Sequence, residues 1–135
     1  MHGREWVVDA YGCDPAALRD LDKLRGLFAR LIQELALRPV QEPTWHQFPN
    51  TGGITGLCLL AESHLACHTF PEYGTLCLNL FCCRVRPDWD FEGNLKQEFA
   101  AQTVRVRRVE RRYQNHEPES RQLPQLRRPD QVSLV

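Results

Sequence analysis

The 135-residue chain has no net charge and no long apolar segment. Its 17 basic and 17 acidic side chains cancel, so no net field would draw the protein to nucleic acid or to an anionic membrane. No unbroken apolar run reaches the roughly 18 residues that a membrane-spanning helix requires. We therefore expect neither nucleic acid nor a membrane among its partners.

The sequence also lacks the marks of a secreted, disulfide-linked protein. Residues 1–5 lead directly into a strand pattern, without the apolar core of a signal peptide. Among the six cysteines there is no Cys-x-x-Cys pair, Cys82 and Cys83 are adjacent, and Cys58 and Cys77 lie in apolar runs. These features predict reduced thiols and a cytoplasmic protein.

Hydrophobic periodicity predicts one α+β domain over residues 1–113. Strands are expected at 5–11, 54–61, 64–70, 75–83 and 104–107, with a short polar strand within 40–48 and helices over 14–38 and 87–101. The order βαβββαβ implies a two-layer sandwich, a mostly antiparallel sheet with two helices on one face. Residues 114–135 carry scattered Pro, Gln, Arg and Glu with few apolar residues, which predicts a disordered tail.

Reactive side chains are concentrated in residues 61–74, after a glycine-rich turn and an apolar strand. A serine hydrolase is disfavoured because the Gly-x-Ser-x-Gly elbow is absent. Zinc is a second option, but strand alternation would aim Cys67 away from His64 and His68, and we expect no metal site. The zinc ligands considered are His64, Cys67, His68, Cys82 and Cys83.

Self-cleavage of the Glu62–Ser63 bond is a further option. A serine hydroxyl can attack the preceding carbonyl, and elimination from the resulting ester then leaves a pyruvoyl group. Ser63, His68 and Thr55 could supply the nucleophile, the base and the oxyanion donor. Because His68 lies five residues after Ser63, the two would face opposite sides of a straight strand. A bend between them is therefore expected.

Several separated motifs lie along the chain. They are Gly3-Arg4, Tyr11-Gly12-Cys13-Asp14, Gly53-Ile54-Thr55-Gly56, Glu62-Ser63-His64, His68-Thr69-Phe70-Pro71-Glu72-Tyr73-Gly74 and Leu80-Phe81-Cys82-Cys83. In order and spacing, across residues 3–113, these motifs resemble the short prokaryotic S-adenosylmethionine decarboxylase proenzymes, a pyruvoyl-dependent family.

The resemblance implies a role for each residue that matches the reaction centre. Cleavage would give a β chain, residues 1–62, and an α chain, residues 63–135, with a pyruvoyl cofactor made from Ser63 that forms a Schiff base with the substrate. His68 would be the proton acceptor in processing, Thr55 a processing hydroxyl and Cys83 the proton donor. The implied assembly is a homodimer of αβ units, with sites built from both protomers.

The resemblance also implies a substrate, S-adenosylmethionine, decarboxylated for spermidine and polyamine biosynthesis. Phe48 falls near an aromatic residue that stacks on adenine, and Glu72 matches an active-site carboxylate. Asn79, Glu5 and Arg84 depart from the family pattern at positions that could affect substrate choice. Glu5 could serve a diamino acid, so a pyruvoyl-dependent arginine or ornithine decarboxylase stays open.

Two hypotheses from other classes also stay open. A non-catalytic homologue that binds a protein partner would remain at full length. A nucleic-acid module would use arginines near the end of the predicted domain, which are also typical of a solvated strand face. These arginines are Arg105, Arg107, Arg108, Arg111 and Arg112.

Overall fold

The structure, a computed structural model, describes residues 2–114, which form one six-stranded sheet and three helices. The strand order in the sheet is β2-β3-β4-β5-β1-β6, and every neighbouring pair is antiparallel. The elements are β1 (His2–Tyr11), α1 (Pro15–Leu18), α2 (Leu21–Glu34), β2 (Thr44–Gln47), β3 (Ile54–Leu59), β4 (Ser63–Phe70), β5 (Thr75–Cys82), α3 (Phe91–Phe99) and β6 (Thr103–Arg112).

The predicted α+β class is confirmed, but the element order differs from βαβββαβ in two places. The short polar strand expected within 40–48 is β2, which pairs with β3, so four strands and not three lie between the helical segments. The first predicted helix is divided, because the Asp20 carboxylate accepts hydrogen bonds from the amides of Asp22 and Lys23 and so begins a second helix. Of the predicted tail, residues 115–135 lie outside the described residues.

One face of the sheet packs against the helices and forms the core. Along β1 and β5, alternate residues are buried, as expected for strands with one covered face. Helix α2 contributes residues at helical spacing to the same core. The main members of this core are Trp6, Val8, Ala10, Leu24, Leu27, Phe28, Leu31, Leu65, Leu76, Leu78 and Leu80.

The opposite face of the sheet, called the open face below, is not covered by any helix within residues 2–114. Among its residues, Leu57, Leu59 and Phe70 are 45%, 46% and 37% exposed. None of the helices within 2–114 combines the length and apolar character needed to cross a membrane.

Candidate active site

The Glu62–Ser63 bond lies in the bend that leads from β3 into β4. Ser63 is the half-buried first residue of β4, opposite Cys82 of β5. The backbone amide of Cys83 donates a hydrogen bond of 2.9 Å to the carbonyl oxygen of Glu62. A Ser63 hydroxyl attack would place negative charge on that oxygen, so the amide lies where an oxyanion donor is needed. Glu62, Ser63 and Cys83 are called the cleavage cluster below.

The side chain of Glu62 is fully buried and is held by two arginines. Its Oε2 lies 2.9 Å from Arg38 Nε and 3.2 Å from Arg86 Nη2. Burial by itself raises the pKa of Glu62, but hydrogen bonds from the Arg38 side chain and amide outweigh it and hold that pKa below its ordinary value. Sequence reasoning missed both arginines, because each is 24 residues from Glu62 and no local pattern connects them.

A second group of the predicted residues lies at the other end of β4. Thr55 and His68 are partners in the β3–β4 ladder, and Thr55 Oγ1 lies 2.9 Å from His68 Nδ1. Phe48, just after β2, and Glu72, in the β4–β5 turn, are exposed at the same end of the sheet. Thr55, His68, Phe48 and Glu72 are called the histidine cluster below.

The cleavage cluster and the histidine cluster do not meet within one chain. Strand β4 is paired residue by residue with β5 from Ser63 to Phe70, so the bend predicted between Ser63 and His68 is wrong for the intact chain. Five residues at about 3.3 Å each separate the two by roughly 16 Å along the strand. Side chains alternate between the two faces of a strand. His68 therefore lies on the open face, whereas Ser63 lies on the same face as the buried Leu65.

Two of the three residues that depart from the family pattern, Asn79 and Glu5, lie together on the open face. His64 Nε2 lies 2.8 Å from Asn79 Oδ1, and Asn79 Nδ2 donates to Glu5 Oε2 at 2.8 Å. Arg111 forms an ion pair with the same carboxylate. The hydrogen bond from Asn79, together with Arg111, outweighs burial and lowers the pKa of Glu5. Glu5 is therefore a compensated anion within a network that spans β4, β5, β1 and β6.

The six cysteines are free thiols, and they differ in accessibility. Cys83 is half-buried at the rim of an open depression of about 790 Å³, which Tyr113 and Arg84 also line. Burial raises the pKa of Cys82 to about 11 and that of Cys67 to about 12. Cys83 is thus the more accessible of the adjacent pair.

The residues considered for zinc are divided between the two faces of the sheet. Cys67 and Cys82 are buried in the core, whereas His68 is exposed on the open face. Within residues 2–114, no three His, Cys, Asp or Glu side chains converge in an arrangement that could hold a metal ion.

The arginines considered for nucleic-acid binding lie on β6, and three of them are paired with carboxylates. Arg107 and Asp9 are 3.0 Å apart, and Arg108 and Asp88 are 2.8 Å apart. Arg111 pairs with Glu5, as described above. The positive charge of the three is therefore compensated within the chain.

Comparisons with known proteins agree with this architecture. The sequence model of the S-adenosylmethionine decarboxylase family matches residues 4–112. The proenzyme of that name from Moorella thermoacetica is 33% identical over 111 residues, covering 81% of this chain and 86% of the relative. The proenzyme from Acetivibrio thermocellus is 35% identical over 114 residues, covering 81% and 87%.

A solved structure shares the fold. It is the crystal structure of the adenosylmethionine decarboxylase from Aquifex aeolicus, which superposes with a TM-score of 0.70 at 23% identity. The match covers 87% of this chain and 96% of that one. At this identity the superposition shows the fold alone, and membership rests on the family match and the two sequence relatives. The chain belongs to the S-adenosylmethionine decarboxylase family.

Proposed function

We propose that the protein is a self-processing, pyruvoyl-dependent decarboxylase that converts S-adenosylmethionine to decarboxylated S-adenosylmethionine for spermidine and polyamine biosynthesis. The observation that carries the proposal is the 2.9 Å hydrogen bond from the Cys83 amide to the Glu62 carbonyl oxygen. An acyl shift at the Glu62–Ser63 bond requires a donor directed at that oxygen. Family membership and the processing residues, all present in the chain, support the same conclusion.

Cleavage is proposed to separate residues 1–62 from residues 63–135. The Ser63 hydroxyl adds to the Glu62 carbonyl, the Cys83 amide stabilises the oxyanion, and opening of the C–N bond leaves an ester on Ser63. His68 is the proposed base for the later removal of the Ser63 α-proton. Thr55, hydrogen-bonded to His68 Nδ1, is the proposed processing hydroxyl beside it.

The separation of the two clusters supports a homodimer with shared sites. His68 of the same chain lies roughly 16 Å along β4 from Ser63, far beyond hydrogen-bond reach. In this dimer the open faces of two copies pack against each other, related by a two-fold axis that lies between them and perpendicular to the strands. The strands of the two copies then run in opposite directions. The cleavage cluster of one copy would then lie over the histidine cluster of its partner. The exposed Leu57, Leu59 and Phe70 supply apolar surface for this contact.

The surroundings of Ser63 fit a pyruvoyl group at the start of the α chain. Such a group supplies the electron sink that decarboxylation requires. Ser63 is half-buried beside Cys83, whose backbone is fixed by the Glu62 carbonyl and by the Tyr113 hydroxyl, which donates to the Cys83 carbonyl at 2.8 Å. The Cys83 thiol is the proposed proton donor, because it is half-exposed at the depression whereas Cys82 is buried.

The polar network of the open face favours S-adenosylmethionine over a diamino acid. Arginine or ornithine would need a free carboxylate for the distal cation, and Glu5 is already bound by Asn79 and Arg111. Phe48 offers an exposed aromatic ring for adenine, and Glu72 an exposed carboxylate at the same end of the sheet. We place the protein in the cytoplasm, in agreement with its six free thiols.

The test compares carbon dioxide release from carboxyl-labelled S-adenosylmethionine, arginine and ornithine under identical conditions. The proposal predicts release from S-adenosylmethionine only, and none from any substrate with the Ser63→Ala variant. Release from arginine or ornithine instead would refute the substrate assignment. A wild-type chain that stays at full length and releases nothing would support a non-catalytic homologue.

A further inference from the structure

Glu62 is the one charged residue among residues 2–114 that is buried as a whole, with 2% of its surface exposed. Acidic side chains are almost never fully buried unless they are paired. Here the carboxylate receives Arg38 Nε at 2.9 Å, Arg86 Nη2 at 3.2 Å and the Arg38 amide at 3.2 Å. The carboxylate of the residue that precedes the cleavage site is therefore both fully buried and paired with two arginines, which is unusual for a glutamate.

The backbone on both sides of Glu62 is also fixed. The Ala61 amide donates to the Arg38 carbonyl at 2.7 Å, and the Leu60 amide donates to the Ser63 carbonyl at 3.0 Å. The Glu62 carbonyl oxygen itself accepts a hydrogen bond from the Cys83 amide. The ion pairs therefore complete a frame in which the Glu62–Ser63 peptide cannot shift without breaking several bonds.

Arg86 has a buried donor that has no partner within residues 2–114. Its Nε is buried and has no hydrogen-bond partner, although Nη2 of the same guanidinium binds Glu62. Buried polar atoms without a partner are rare and call for an explanation. The Arg86 backbone is itself anchored, because its carbonyl accepts from Arg4 Nη1 at 3.1 Å. The unused donor therefore belongs to a fixed residue.

We propose that Arg86 and Arg38 are positioning residues for self-cleavage: both hold Glu62 before the cut, and Arg86 binds the α-carboxylate that Glu62 gains. The inference rests on the proposed function.

In the ester, a base takes the Ser63 α-proton, and the bond between Ser63 Cβ and Oγ breaks. Both electrons of that bond leave with the oxygen on Glu62. Dehydroalanine remains on the α chain, and water converts it to the pyruvoyl group and ammonia.

The new carboxylate appears on the residue that Arg86 already contacts. A guanidinium can bind two acceptors through its fork of donors, and Nε is the buried donor of Arg86 that has no partner in the described part of the intact chain. Binding the leaving carboxylate would favour the elimination step, and it would also keep the new C-terminus of the β chain in place. Arg38, whose side chain is 62% exposed, would contribute mainly to holding Glu62 beforehand.

Arg86→Lys is the decisive variant, because it retains the positive charge beside Glu62 but lacks the guanidinium fork. Processing is followed by mass spectrometry, with hydroxylamine added to samples because it cuts the ester but not the intact peptide. We expect Arg86→Lys to accumulate the ester and to convert it at least about tenfold more slowly than wild type. The exposed Arg25, on α2, gives the matched control Arg25→Gln, which should process at the wild-type rate.

Arg38→Gln provides a second test at a more exposed side chain. It should slow formation of the ester, while an ester once formed should convert at a rate close to that of wild type. If the Arg86→Lys variant folds, shows no trapped ester and is processed at the wild-type rate, the inference is overturned. The proposed function would then remain intact. A wild-type chain that forms neither ester nor fragments would instead refute the proposed function.

Discussion

The shared active site predicts that two inactive variants restore cleavage when they are combined. Ser63→Ala lacks the nucleophile, and His68→Ala lacks the proposed base. In a mixed dimer, Ser63 of the His68→Ala chain would meet the intact His68 of the Ser63→Ala chain. One of the two sites in such a dimer is then complete, and the other lacks both groups.

The size of the effect follows from the geometry and from pairing statistics. Ser63 and His68 of one chain lie roughly 16 Å apart along β4, whereas general-base chemistry requires about 3 Å. His68 of the same chain is therefore out of reach. With equal amounts and random pairing, about half of the His68→Ala chains have a Ser63→Ala partner, so about half should be cleaved.

The assay is intact-mass measurement of separately tagged chains that have been expressed together. Each variant expressed alone is the control and should stay at full length. Native mass spectrometry establishes that mixed dimers are present. If mixed dimers form and the His68→Ala chain still stays whole, the shared site is refuted. Cleavage of His68→Ala alone at the wild-type rate would remove His68 from processing.

Other predictions concern the thiol, the buried carboxylate and the core. Cys83→Ala should still self-cleave, because its backbone amide remains on the Glu62 carbonyl, but it should lose decarboxylation. Normal turnover, as expected of a Cys58→Ala control in the core, would remove the Cys83 thiol from its role. In the uncleaved Ser63→Ala chain, the lowered pKa of Glu62 adds stability that is complete above about pH 4.5 and is lost as the pH falls through its folded-state pKa. Thermal unfolding against pH should show less of this acid dependence with Glu62→Gln, and an unchanged profile would contradict the ion-pair account. Phe28→Ala should lower the unfolding free energy by about 3–5 kcal/mol in urea titrations, and a loss below about 1 kcal/mol would contradict its place in the core.

Most strands of the sheet could be predicted because the sequence patterns that indicate a strand are local. Apolar runs and alternation placed β1, β3, β4 and β5 to within a few residues, and Gly and Pro marked the turns between them. The break between α1 and α2 was missed, because Asp20 within a leucine-rich helical pattern gives only a weak capping signal. Strand β6 is longer than predicted, since its pairing with β1 extends through residues with little apolar alternation.

The geometry of the candidate site could be predicted less completely, because the residues that contact one another there are far apart in the sequence. The motifs identified Ser63 and His68, but they could not show that an unbroken β4 holds the two apart. The Cys83 amide on the Glu62 carbonyl is a main-chain contact, which no residue type encodes. The Arg38 and Arg86 ion pairs likewise depend on where loops return to the end of the sheet.

Self-processing would make the Glu62–Ser63 bond the precursor of the cofactor. Intact-mass measurement of freshly purified wild-type protein, without added protease, tests it most directly. Self-processing predicts fragments 1–62 and 63–135, the second lighter by one ammonia than a fragment that begins with unmodified Ser63. It also predicts that this second fragment resists N-terminal sequencing, and that Ser63→Ala stays whole. A single full-length wild-type chain with Ser63 intact would show that the Glu62–Ser63 bond is not the source of a pyruvoyl group.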